Sequence, residues 1–320
     1  MNHEKRSRLA LMDFYELSLA NAFFSEEIDD TAAWFDIFFR PSADVTGFCI
    51  MAGLEQAVDY IESLRFSQED IAFLRGQGMA EPFLAYLKDF HFACDIWAVP
   101  EGTPVFPGEP IVKVHGPMIQ AQLIEAILLL SVNHQTQIAT KANRIVRAAQ
   151  GRGVVEFGAR KAQGVDSAVF GARAAYIGGC IATTCAAAAK DYAIEPFSAM
   201  SHSWILSFDS EEQAFRAYAR QYPDNCILLI DTYDTMHSGL PAAIKAFREE
   251  ILPRGFRPRG VRIDSGDLAY LSKRIRRVLN EEGFPDCDII ASNQLDEFII
   301  KEMISNGARI DTFLVGEKLI

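Results

Sequence analysis

The residues best suited to chemistry lie in the second half of the chain, each just after a short apolar run. Arg160 and Lys161 follow Val154, Val155 and Phe157. A guanidinium beside an ammonium can pair with phosphate, the first bidentately and the second as a point charge, although a solvated pair on a loop looks the same. Ser201-His202-Ser203 ends the run from Ile194 to Met200. An imidazole there is a competent phosphate nucleophile when one nitrogen is free and the other is held by a neighbour, whereas a lone histidine is commonly structural. Arg262 stands in VRIDSGDL between Val261 and Ile263, so alternation turns it to the opposite strand face, where a cation is costly unless paired. Asp264 and Asp267 come next, suited to a ribose or metal ligand or simply to a helix-capping loop. Ser292-Asn293 and Gly316 end two further apolar runs.

The elements that must position these residues form a repeated pattern of strand, polar tip and helix. Seven candidate strands run over 154–157, 180–182, 194–200, 226–230, 260–263, 288–291 and 310–315. Asp166 is expected to cap a small-residue helix that stops at Gly178-Gly179, and helical segments over 240–250, 269–282 and 296–306 separate the later strands. This is the grammar of an α/β barrel, with its chemistry at the strand C-termini. Upstream, residues 12–23 predict an amphipathic helix capped by Asp13, with Phe14, Leu17 and Ala20 at helical spacing. Residues 35–40 alternate like a strand, 54–90 are helical with Ser67 and Asp70 as a capping box, and 95–116 predict a small β unit. A single long helix is expected over 118–150. The division is then a smaller α+β domain over 1–140, with the linking helix, and an α/β barrel over 141–320.

Composition narrows the function. The 320 residues carry a net charge of −12, with 49% hydrophobic and 23% charged residues. That balance supports an ordinary core and lacks the basic footprint of a nucleic-acid binder, while focused cations can still hold phosphate. The six cysteines are dispersed without zinc spacing, as in a reduced cytoplasmic protein. The N-terminus has too short an apolar run for a signal peptide, and the longest low-charge run, 174–189, is too short for a membrane span.

Two blocks, EFGARKAQG from Glu156 and SHSW around His202, resemble signatures of the nicotinate phosphoribosyltransferase family, and the likeness extends over residues 12–320. The resemblance implies the irregular α/β barrel of the type II phosphoribosyltransferases. It also implies ATP-coupled transfer of phosphoribose from phosphoribosyl diphosphate to nicotinate, with Mg²⁺, in a cytoplasmic homodimer. In that family the histidine matching His202 is phosphorylated by ATP, the tyrosine matching Tyr15 stacks on the pyridine ring, and the arginine matching Arg262 meets the nicotinate carboxylate. Ser201 then belongs to the substrate site, and Phe48 reaches a neighbouring subunit's site. Arg160, Lys161, Asp264, Asp267, Ser292, Asn293 and Gly316 serve phosphate and ribose. The segment ATTCAAAA at 182–189 lacks the carboxylate with which the related nicotinamide enzyme accepts from an amide, which favours an acid substrate.

Three segments depart from the family pattern. Ser198-Ala199 replaces a Gly-Thr, ATTC at 182–185 replaces GTSN, and Leu314-Val315-Gly316-Glu317 replaces the GVGT phosphate loop with bulk and a negative charge. The chain ends four residues past Gly316, so the barrel is expected to be incomplete at its C-terminus. The alternatives are a degenerate, non-catalytic barrel that binds a pyridine or phosphate ligand, or a nicotinamide or quinolinate phosphoribosyltransferase.

Overall fold

A computed structural model describes residues 8–28, 30–40 and 47–320. The chain divides into two compact units, Met1–Thr140 and Lys141–Ile320.

In the first unit, helix α1 (Phe14–Ser25) starts at Asp13, whose backbone N–H donates to Glu16. Strands β1 (Ala32–Ile37), β5 (Val112–Pro117) and β3 (Asp95–Ala98) form an antiparallel sheet in that order, and β2 (Cys49–Ile50) pairs with β4 (Pro104–Val105). Helices α2 (Leu54–Glu62), α3 (Gln68–Gly76) and α4 (Glu81–Lys88) contribute Tyr60, Leu74, Phe83 and Leu87 to the core. The Ser67–Asp70 capping box forms as expected. Strand β1 begins and ends earlier than the alternation at 35–40 suggests, because its partner β5 pairs Ala32 through Ile37 and no further. Phe14 is exposed, and it is Glu16, Leu17 and Ala20 that α1 buries.

The long helix expected over 118–150 is broken at Ile124 into α5 (Met118–Leu123) and α6 (Glu125–Ala148). A break leaves helix-initial N–H groups without intrahelical acceptors. Here the fully buried Glu16 carboxylate, from α1, accepts from the Ala126 N–H at 2.7 Å. Burial, with Glu125 and Asp13 nearby, raises the Glu16 pKa from 4.5 to about 7 even though two backbone N–H groups oppose the rise. An acid with a raised folded pKa binds its proton more tightly when folded. Its stabilisation is therefore complete below the unfolded value near 4.5 and is lost as pH climbs through about 7. We expect unfolding stability to fall by roughly 3 kcal/mol from this group across that window. In urea titrations at pH 5 and pH 8, Glu16→Gln should remove that part of the pH dependence. An unchanged difference between the two proteins would refute the assignment.

The second unit follows the alternation expected of a barrel. In chain order it contains β6 (Gly153–Glu156), α7 (Val165–Ile177), β7 (Ala182–Thr183), α8 (Ala186–Tyr192), α9 (His202–Leu206) and α10 (Glu211–Gln221). Then come β8 (Ile227–Leu229), α11 (Leu240–Ala246), β9 (Gly260–Ile263), α12 (Leu268–Glu281), β10 (Asp288–Ala291), α13 (Glu297–Ser305) and β11 (Thr312–Val315). Six strands pair in parallel in the order β7-β6-β11-β10-β9-β8, so all their C-termini lie along one rim of a curled, open sheet. Val155, Ala182, Ile227, Ile290 and Leu314 pack together on one face of it.

Two local expectations are corrected here. Residues 194–200 are not a strand; they make one isolated bridge, Thr183 to Pro196, because their neighbour β7 ends at Thr183 and the chain turns into α8 from Cys185. Asp166 does not cap α7, which starts from Gly164 at φ 114°; Asp166 lies in its first turn instead, and the helix stops at Gly178 as expected.

Candidate active site

The rim gathers side chains from the ends of β6, β8, β9 and β10 around Arg262 and His202. On β9, Arg262 is in register with Leu229 and Ile290, which turns it to the packed inner face. Its side chain is only 6% exposed, and three groups hold it. Nε donates to Ser292 Oγ at 2.9 Å, Nη1 to the Met200 carbonyl at 3.3 Å, and Nη2 lies 3.2 Å from Asp264 Oδ2. Burial pulls the guanidinium pKa below its ordinary value, and Asp264 opposes that pull. Ser292 Oγ in turn donates to Asp264 Oδ1 at 2.5 Å, so both carboxylate oxygens are engaged. The cost of a buried cation is thus met by a buried network rather than by solvent.

His202 begins the short helix α9, with Ser201 as its N-cap. Its Nδ1 is 3.0 Å from Thr232 Oγ1, at the tip of β8, and its Nε2 is 3.7 Å from Asp264 Oδ2. Asp264 therefore stands between the imidazole and the guanidinium. The His202 side chain is 43% exposed. Trp204 anchors the helix by donating from Nε1 to the Ala214 carbonyl at 3.1 Å. Beneath Asp264, Asp231 Oδ2 accepts from the Asp264 N–H at 2.7 Å and from Ser265 Oγ at 2.6 Å. The other Asp231 oxygen is buried with no hydrogen-bond partner among the described residues.

The remaining predicted residues divide by location. Arg160 is exposed, with its guanidinium 4.7 Å from the Phe157 ring centroid, and Arg262 is 5.1 Å from the same ring. Lys161 Nζ pairs with Glu317 Oε2 at 2.9 Å, and Gly316 packs tightly enough that a Cβ there would lie 3.1 Å from the Phe157 carbonyl. Leu314 does not enter this loop; its bulk is buried in the inner-face cluster. Asp267 caps α12 through the Tyr270 N–H at 2.9 Å, and Asn293 is exposed with φ 104°. Tyr15 and Phe48 belong to the first unit. There, Tyr15 is 46% exposed and hydrogen-bonded to Glu125, and its pKa is raised from 10.0 to about 12, first by burial and then by Glu125. Phe48 is half-buried beside Gly47 at φ 99°.

Sequence reasoning passed over Phe157, Thr232 and Asp231. Thr232 and Asp231 stand in a polar strand tip, which is a usable signal, while Phe157 reads as one more apolar strand residue. As a whole the rim offers a buried guanidinium, a partly exposed imidazole and two exposed cations. That set suits an anionic substrate carrying phosphate.

Residues 11–133 match the model of the nicotinate phosphoribosyltransferase N-terminal domain. The chain is 42% identical to two curated proteins, the nicotinate phosphoribosyltransferase pncB2 of Mycobacterium tuberculosis over 309 residues and that of Bacillus subtilis over 313. Each alignment covers 96% of this chain but only 66% and 62% of the respective relatives, so the chain spans less than two thirds of their length. Its fold superposes on the crystal structure of human nicotinic acid phosphoribosyltransferase with a TM-score of 0.87 at 26% identity, covering 96% of this chain and 73% of that one.

Proposed function

Because the chain belongs to the nicotinate phosphoribosyltransferase family, we propose that it transfers phosphoribose from phosphoribosyl diphosphate to the ring nitrogen of nicotinate. The products are nicotinate mononucleotide and pyrophosphate, and ATP hydrolysis is coupled through His202. The cluster of Arg262, Asp264, Ser292 and His202 on one sheet rim carries this reading. Arg262 uses one N–H on each of three nitrogens, which leaves N–H groups for the nicotinate carboxylate. His202, with Nδ1 held at Thr232, attacks the γ-phosphorus through Nε2 and displaces ADP. Arg160 and Lys161 meet the diphosphate, and their charge favours the departing pyrophosphate.

Among the described residues no group of three His, Cys, Asp or Glu side chains could hold a metal ion by itself. A Mg²⁺ would arrive with the diphosphate, since this ion is usually bound through one or two carboxylates plus substrate phosphates. Asp231, with its unpartnered oxygen, and Asp264 would hold it. The ion would offset charge on the leaving pyrophosphate. The same reading makes the protein a cytoplasmic homodimer. No helix among the described residues is long and apolar enough to cross a membrane.

Incubation with phosphoribosyl diphosphate, Mg²⁺ and ATP should yield mononucleotide from nicotinate and none from nicotinamide or quinolinate. No product from any of the three would favour a non-catalytic barrel. Within this reading Glu317 competes with the substrate for Lys161, which holds its carboxyl below the usual range. Glu317→Gln should lower KM for phosphoribosyl diphosphate by about two- to fivefold, the scale of an exposed ion pair, and less at high salt. An unchanged or higher KM would show that this pair does not oppose substrate binding.

A further inference from the structure

Glu156 closes β6, is fully buried, and is not used in the chemistry above. It accepts from Thr183 Oγ1 at 2.5 Å and from the backbone N–H groups of Gly158 and Ala159. None of these donors carries a charge. Burial raises its pKa, and the three donors act against that rise. A buried carboxylate held by neutral donors is expensive, and such groups persist where they fix a conformation.

Its partners show which conformation is fixed. Gly158 and Ala159 open the turn after β6, which continues as the single 3₁₀ turn Ala159–Lys161. Thr183 is the tip of the neighbouring β7, and its Oγ1 also accepts from the Cys185 N–H at 2.9 Å at the start of α8. The same carboxylate thus stitches two strand tips and shapes the backbone that carries Phe157, Arg160 and Lys161. There is no slack on the other side, since a Cβ on Gly158 would lie 3.0 Å from the Gly316 carbonyl and 3.1 Å from Glu156 Oε1.

We propose that Glu156 is a positioning residue for phosphoribosyl diphosphate, acting with Thr183 to set the 157–161 turn so that Arg160 and Lys161 meet the diphosphate. This rests on the phosphate role of those two cations proposed above. Gln at 156 would present an amide N–H₂ where three donors already point, so at least one donor loses its acceptor.

Affinity for phosphoribosyl diphosphate, measured by calorimetry on the full protein, and KM for both substrates test the proposal. Thr183→Val and Glu156→Gln should each weaken phosphoribosyl diphosphate binding by about tenfold, the scale of a hydrogen bond to a charged group. Thr183→Ser, which keeps the hydroxyl, should restore it. Adding Arg160→Ala to Thr183→Val should weaken binding little further, because the cation is already misplaced. Wild-type affinity in a folded Thr183→Val protein, or fully additive losses with Arg160→Ala, would overturn the proposal. If Glu156→Gln fails to fold, the Thr183 pair decides. Unchanged binding in both Arg160→Ala and Lys161→Ala would instead remove the phosphate role on which the proposal stands.

Discussion

His202→Ala should fold normally yet take up no label from γ-labelled ATP, while the unaltered protein acquires acid-labile, base-stable label. The fold should tolerate the change because the imidazole is partly exposed and its contacts are two side chains, Thr232 and Asp264. The chemistry should not tolerate it. Thr232 Oγ1 at 3.0 Å can accept a hydrogen bond from Nδ1–H, the tautomer that leaves the Nε2 lone pair for phosphorus. Nucleophilic catalysis through a covalent phosphoenzyme has no substitute route in an alanine. The ATP-stimulated part of nicotinate mononucleotide formation should therefore vanish, leaving only the ATP-independent transfer. Thr232→Val should still be labelled, but about tenfold more slowly, the scale of one lost hydrogen bond that orients the ring. Label retained in His202→Ala would place the phosphorylated group elsewhere.

Arg262→Met should cost both stability and substrate recognition. Removing the cation leaves the Asp264 carboxylate half-buried without its closest counter-charge and takes a donor from Ser292. Breaking one side of a buried pair typically costs about 3–5 kcal/mol, whereas replacing both sides can be nearly neutral. Adding Asp264→Asn to Arg262→Met should thus recover most of the melting temperature. It should not recover activity, because in the proposed binding mode the nicotinate carboxylate loses its guanidinium. We expect kcat/KM for nicotinate to drop by roughly a hundredfold or more, as for a lost charge-assisted contact in a dry site. Lysine should not rescue it, since one ammonium cannot reach Ser292 Oγ, the Met200 carbonyl and Asp264 together. Near-normal nicotinate kinetics in Arg262→Met would remove this residue from the substrate site.

Much of the second unit was legible without coordinates because its signals are local. An apolar run of strand length followed by Asp, Ser, Gly or Arg marks a strand and its tip, and six of the runs pair as one parallel sheet. The run at 194–200 misled because its residues are apolar enough for a strand, whereas the neighbouring β7 ends at Thr183 and offers it no further partner. In the first unit, helical spacing continued straight through Ile124, and nothing local marked the break. Its acceptor is the Glu16 carboxylate, 110 residues earlier in the chain.

Residue types and their periods thus determined the alternation of strands and helices, the rim where polar tips collect, and the cations and imidazole offered there. The tertiary structure alone decided which of them touch. Arg262 reaches Ser292 and Met200, and His202 reaches Thr232, across separations of 30 to 62 residues. Strand order sets those contacts, and strand order arises from packing whole apolar faces, a non-local balance that no short window of sequence contains.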